Sequence, residues 1–213
     1  MLIIKLALSV LVLTVLVAGC LPATALVLPA NNAPVSVNFR GVQISSLPPT
    51  GWRAFVDGTH LILTNQPNDR ATPTVVLNIW MPAEELIRDI PKETGTSTAE
   101  VLREITNTPR LIGNAIASTP EPFRWMQYDG AYYVLNTGTD SVTLVIALTP
   151  ADASQMIVIN ITTDRTSLNN LQRVAGAALE SVLINQQPLS AELFSMLPQP
   201  LEIPTPQGVN EPS

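Results

Sequence analysis

The chain has 213 residues, 46% of them hydrophobic and 13% charged, with a formal net charge of −6 at pH 7. That profile excludes an intrinsically disordered chain, and the acidic balance argues against nucleic acid as a partner and against electrostatic adhesion to anionic lipid. With one cysteine no internal disulfide is possible, so stability has to come from a packed core.

Residues 1–20 read MLIIKLALSVLVLTVLVAGC. Lys5 precedes an unbroken apolar-to-small run, Leu6 to Gly19. The run has the length of a signal-peptide core, roughly 7–15 residues, and is shorter than the about 20 that a membrane-spanning helix needs. It ends in Val17-Ala18-Gly19-Cys20, and Cys20 is the sole cysteine. The stretch resembles a bacterial lipoprotein signal peptide with its lipobox. The resemblance implies that the Cys20 thiol receives a diacylglyceryl group and that cleavage makes Cys20 the mature N-terminus. It places the protein at the cell membrane, lipid-anchored and extracytoplasmic, with residues 1–19 as the signal. Two other routes stay open. Ala23-Thr24-Ala25 is an A-x-A site whose use would release a secreted protein, and the apolar run could stay uncut and continue through Leu26, Val27 and Leu28. A diacylglyceryl group supplies the two chains that stable anchoring takes. Removing the signal also removes Lys5 and makes the chain more acidic.

Residues 20–36, rich in Ala, Pro and Asn, read as a flexible tether. Residues 37–184 read as a single domain; about 190 mature residues suit one domain plus tails. Residues 185–213 hold Pro188, Pro198, Pro200, Pro204, Pro206 and Pro212 and read as a largely disordered tail. Within it Ala191 to Leu197 offers one or two helical turns.

Strand signals begin at Val42 to Ser46. Trp52 to Val56 and Thr59 to Asn65 flank Asp57-Gly58, and Phe123 to Tyr128 and Ala131 to Asn136 flank Asp129-Gly130. Asp-Gly between apolar runs predicts a hairpin whose type I′ turn takes positive φ at both positions. Val75 to Met81, Ser141 to Leu148 and Gln155 to Thr162 are rich in β-branched residues. In the last, Ile157, Ile159 and Ile161 alternate with Met156, Val158 and Asn160, as on a sheet with one less apolar face.

Three helices are expected. Pro82 suits a first helical position, with Glu84 and Glu85 in the first turn and Leu86, Ile87 and Ile90 as the stripe before Pro91. Ser97-Thr98-Ala99-Glu100 matches a capping box, followed by Val101, Leu102 and Ile105, with Pro109 closing the helix. Leu168, Leu171, Ala175, Ala178, Leu179 and Val182 share one face, with Asp164 or Thr166 as cap.

The element order β-β-β-β-α-α-β-β-β-β-α predicts an α+β fold, a central antiparallel sheet with helices packed on it. The short strand, Leu47-Pro48-Pro49-Thr50-Gly51-Trp52, the hairpin, the strand entering helices, the meander and the terminal helix through Leu179-Glu180-Ser181-Val182-Leu183 resemble the PsbP-like family over residues 36–184. That family includes the extrinsic photosystem subunit and relatives in many bacteria. The resemblance implies an α/β/α sandwich and a docking or assembly-assisting role without catalysis. It carries over no functional residue.

Catalytic and metal signatures are absent from the sequence. The single histidine, His60, cannot make a two-histidine metal site, and no G-x-S-x-G elbow accompanies it. It reads as a half-exposed strand residue. Glu84, Glu85, Asp89 and Glu93 sit beside Arg88 and Lys92 at i, i+4 spacing, which reads as a solvated helix face. No calcium loop, P-loop or dinucleotide fingerprint occurs, so no cofactor and no metal is expected. The candidate ligand or partner surface is one hairpin carrying Arg124, Trp125, Tyr128, Tyr132 and Tyr133. Exposed aromatics carry contact energy, yet strands also recruit Tyr and Trp for cross-strand packing, which is the favoured reading of this cluster; Trp52 and Trp80 are expected in the core too. Register sets the faces: Trp125 and Tyr133 are expected opposite Tyr132. The expected function is a membrane-tethered, non-enzymatic binding or assembly module docking on an envelope protein. A small-ligand or glycan-binding module is the alternative, and a hydrolase comes third.

Overall fold

Antiparallel pairing organises most of the chain. The computed structural model describes residues 34–65, 74–82, 97–138, 140–150 and 155–205. Its strands are β1 (Val35–Phe39), β2 (Val42–Ser46), β3 (Trp52–Asp57), β4 (His60–Asn65), β5 (Val75–Trp80), β6 (Ile116–Ala117), β7 (Glu121–Trp125), β8 (Tyr128–Asn136), β9 (Ser141–Pro150), β10 (Ile157–Asp164), β11 (Val182–Ile184) and β12 (Gln187–Pro188). Helix α1 spans Thr98–Thr106, the single turn α2 spans Pro109–Ile112, and α3 spans Leu171–Glu180. Short 3₁₀ segments cover Leu168–Asn170 and Ala191–Met196.

The large sheet has the order β3-β4-β5-β10-β9-β8-β6, with β7 also paired to β8. The small sheet has the order β1-β2-β11-β12. In the large sheet Ile159 lies opposite Ile79 on one side and Ile146 on the other, and Ile161 opposite Leu77 and Leu144. Leu61 and Leu63 extend the same rows on β4. These residues are fully buried. The isoleucine alternation therefore does mark a core face, as a period of two requires.

Two layers cover that face. Leu171, Ala175, Ala178 and Leu179 of α3 pack on it, with Ile44 and Val182 of the small sheet. The opposite face is shallower. Ala131, Tyr133, Val145, Ala147 and Val158 pack there against Ala99 and Leu102 of α1. The fold is thus mostly antiparallel sheet with few helices. Each face carries one helix, and a second sheet and the chain after β11 supply much of the remaining cover.

Helix α1 forms where its capping box predicts. The Ser97 hydroxyl accepts from the Glu100 amide, and the Glu100 carboxylate accepts from the Ser97 amide at 2.7 Å. Both orphan donors are satisfied reciprocally. These hydrogen bonds also hold the Glu100 carboxyl below its usual pKa range. Pro109 does not merely close α1; it opens α2 at the first helical position. Beyond Pro82, the helix expected from Pro82 to Ile90 lies outside the described residues.

Four expectations are corrected. First, the hairpin turns move. Asp57 pairs with His60, so the turn is Gly58-Thr59, with a positive φ at Gly58 alone, the glycine position a type II′ turn requires. Asp129-Gly130 is not a turn at all. Trp125 pairs with Tyr128 across Met126-Gln127, and Met126 takes the positive φ. Gly130 lies inside β8 opposite Phe123, whose ring would meet an added Cβ at 2.6 Å. Second, the terminal helix ends at Glu180. Ser181 donates its hydroxyl to the Ala178 carbonyl, and Val182 begins β11 beside Ser46. The helix also starts later, after a 3₁₀ turn. Asp164 accepts from the Ser167 amide at 2.8 Å and so caps the approach to the helix. Third, Val35 and Ser36 belong to β1 and not to a tether.

Fourth, residues 185–205 do not hang free as a tail. Asn185 donates its amide to the Gln43 carbonyl at 2.8 Å, and the Gln43 amide donates to Asn185 Oδ1 at 2.9 Å. Leu189, Leu193, Phe194, Leu197 and Leu201 are buried in the main core. The Leu201 amide donates to Asn169 Oδ1, and Asn136 Nδ2 donates to the Pro204 carbonyl. Burying each such side chain contributes about 1.5–3 kcal/mol, which outweighs the absence of periodic backbone structure. Residues 206–213, like 1–33, lie outside the described residues.

Candidate binding groove

The aromatic hairpin is mostly interior. Trp125, Tyr128, Tyr132 and Tyr133 are 4%, 8%, 8% and 5% exposed. Trp125 stacks on Tyr128 with ring centroids 5.5 Å apart, and Tyr132 leans on Phe123 at 6.4 Å. Register decides the faces. Trp125 lies directly opposite Tyr128, and Tyr132 follows on the same side, all in the main core. Tyr133 alone turns to the α1 face. The expectation that Trp125 shares a face with Tyr133 is therefore reversed, because the turn sits at Met126-Gln127. Burial pushes the Tyr133 phenol up to about 12. Arg124 is exposed on the outer side of β7.

Sequence reasoning brought these five residues together, and among them Tyr132 lines a cavity large enough for a ligand. A groove of about 740 Å³ runs between the β6–β8 region and the chain after Ala191. Tyr132 lines it, Glu121 and Pro122 of edge strand β7 line it, and Met196, Pro198 and Glu202 line it from the other side. Ligand pockets fall at about 300–1,000 Å³, so the size suits a bound group. Burial raises the pKa of the Tyr132 hydroxyl, and the negative charges of Glu121 and Glu202 raise it further. Both carboxylates thus act on the same phenol. Met196 is 51% exposed at the rim. No lysine, arginine or histidine lines the groove among the described residues.

Glu121, Glu202, Met196 and Pro198 are among the groove residues that sequence reasoning missed. The available signal was the spacing of Leu189, Leu193, Leu197 and Leu201, one apolar residue in four, which marks a packed segment despite its prolines. A second hollow of about 110 Å³ lies under the hairpin tip, lined by Trp125, Met126 and Tyr128 with Pro188 and Leu189. It is too small for more than a side chain.

His60 is half-buried. Its Nδ1 shares a hydrogen bond with Asn78 Oδ1 at 2.9 Å, and its ring stacks on Trp80 at 5.2 Å. These contacts hold the imidazole on the sheet surface, and no nucleophile stands beside it among its described contacts. Trp52 and Trp80 are half-buried, where core positions were expected. No three His, Cys, Asp or Glu side chains gather closely enough for a metal among the described residues. Among those residues no helix is long and apolar enough to cross a membrane. Cys20 and the Glu84, Glu85, Asp89, Glu93 set lie outside the described residues.

No family model matches the chain, and no curated protein matches it. Among solved structures it is similar to cyanobacterial PsbP (CyanoP) from Synechocystis sp. PCC 6803, with a TM-score of 0.42 and 14% identity over 72% of this chain and 93% of that one. It is also similar to the Ran-binding protein Mog1p of Saccharomyces cerevisiae, with a TM-score of 0.39 and 14% identity over 78% of this chain and 88% of that one.

Proposed function

We propose that this chain is a membrane-tethered, extracytoplasmic docking or assembly module without catalytic activity, anchored through lipidated Cys20 and meeting an envelope protein through the groove between the β7–β8 hairpin and the 191–202 segment. We read the domain as a PsbP-like α/β/α layer arrangement, on its element order and the single helix on each sheet face. The observation that carries the docking reading is the groove itself: an open, mixed apolar and acidic concavity of about 740 Å³ beside an edge strand. Partner surfaces combine such exposed apolar anchors with charged rims. The burial of Trp125, Tyr128, Tyr132 and Tyr133 supports docking over the alternative of a sugar stacked on the hairpin, because a sugar needs an open ring face.

Co-purification from gently solubilised native membranes tests the reading. The expected result is one stoichiometric protein partner whose recovery falls when Met196→Asp is introduced at the groove rim. A chain that purifies alone under several detergents would sink the docking role. The anchor is tested separately: Cys20→Ala should move the protein from the membrane to the soluble extracytoplasmic fraction, and continued membrane partitioning would refute lipidation.

A further inference from the structure

The Tyr132 side chain is more than nine-tenths buried, yet its phenol has no hydrogen-bond partner among the described residues, and it lines the groove. The hydroxyl oxygen itself is not sealed in: it opens onto the groove, where water or a bound group can complete its hydrogen bonding. Two carboxylates, Glu121 and Glu202, bear on that phenol from opposite walls. Between them the wall is apolar, with Pro122, Met196, Leu197 and Pro198. A long aliphatic stem ending in a cation fits that order of surfaces, since such stems bury along apolar walls while the charged head seeks acceptors.

We propose that the groove binds a lysine- or arginine-bearing extended segment of a partner protein, with the cationic head between Glu121 and Glu202 and its stem along Met196 and Pro198. The proposal rests on the docking reading and names the chemistry of its partner. Charge complementarity favours this occupant: the groove presents two acids and no described base, and the chain as a whole is acidic. The groove is open and walled by an edge strand, which suits an extended segment more than an enclosed small molecule.

The probe is a fluorescein-labelled, N-acetylated and C-amidated peptide of glycines with two central lysines, titrated by anisotropy into the detergent-solubilised full chain. Glu121→Gln with Glu202→Gln should weaken binding about tenfold or more, the equivalent of 1.4 kcal/mol. Glu104→Gln with Glu180→Gln removes the same charge from exposed positions on α1 and α3, away from the groove, and should leave the affinity unchanged. Tyr132→Phe, which keeps the ring, should weaken binding by a smaller factor. Matching denaturation midpoints show that each variant is folded. Equal losses in both double variants would mean general surface charge and overturn the proposal, as would no binding at all. Displacement of the peptide by an equal concentration of tetramethylammonium would overturn the peptide as occupant. The two readings also part in co-purification. A partner recovered equally with wild type and with the Glu121/Glu202 variant leaves docking standing and sinks the groove; peptide binding without any partner sinks docking alone.

Discussion

Gly130 and Phe123 show how one missing side chain shapes the hairpin. The Phe123 ring lies over Gly130 across the strand pair, where a Cβ would fall 2.6 Å from the ring. An aromatic ring covering a glycine in this way stabilises an edge pair. Gly130→Ala should cost about 1–3 kcal/mol in urea denaturation, because the ring must leave its contact with Tyr132. Gly130→Ala combined with Phe123→Leu should recover part of that loss. The neighbouring Asp129 reaches the other way. Its carboxylate accepts from the Thr98 amide at 2.7 Å, a donor at the start of α1 that the helix itself cannot satisfy. Asp129→Ala should cost about 1–2 kcal/mol by the same measurement. An Asp-Gly pair reads locally as a turn, yet here Asp129 holds the distant start of α1 and Gly130 sits under Phe123 of the paired strand. That is why the sequence pattern pointed to the wrong turn. Tyr133 gives a pH signature. Its folded-state value, about 12, lies above the ordinary 10.0, so the neutral phenol is favoured by folding. The contribution is fully present below about pH 10 and is lost as pH rises through the interval up to about 12. Tyr133→Phe should lose less stability than wild type over that interval and should lack the last phenol to ionise in an ultraviolet titration.

At the scale of elements, local signals were legible and non-local ones were not. The capping box at Ser97 and Glu100 specifies α1 with four residues, and the structure shows both of its hydrogen bonds. The alternating isoleucines of β10 set the core face because a strand has only two faces to choose from. The chain after Ile184 was misread because proline content hid an apolar spacing. Those residues form no long helix or strand, so no periodic pattern announced them, yet they fill the core beneath α3. Phe194→Ala should cost about 3–5 kcal/mol, as for other buried Phe truncations. Ending the chain after Gln186 should replace a sharp thermal transition with a broad one, since Leu189, Leu193, Phe194, Leu197 and Leu201 leave the core together. A truncated chain that still melted sharply near the wild-type temperature would contradict the packing described. The groove has the same origin. One wall belongs to a strand edge and the other to this segment, so nothing within either stretch foretold their meeting. Tyr132 was singled out for its ring, whereas its use at the groove depends on the two glutamates beside it.

Across the whole molecule, the small sheet ties one end of the domain to the other. Ile44 pairs with Ile184, and Gln43 exchanges hydrogen bonds with Asn185 at a separation of 142 residues. The consequence concerns time. Closing so long a loop is entropically unfavourable until the intervening strands have already brought its ends together. Contacts of this range belong to slow folders, and the cost of loop closure predicts that this one forms after the large sheet has done most of the approach. A contact made after the transition state governs escape from the native state more than arrival at it. Ile44→Val should therefore leave the refolding rate in stopped-flow traces nearly unchanged and raise the unfolding rate. On that outcome, the clasp that closes last sets the lifetime of the folded domain.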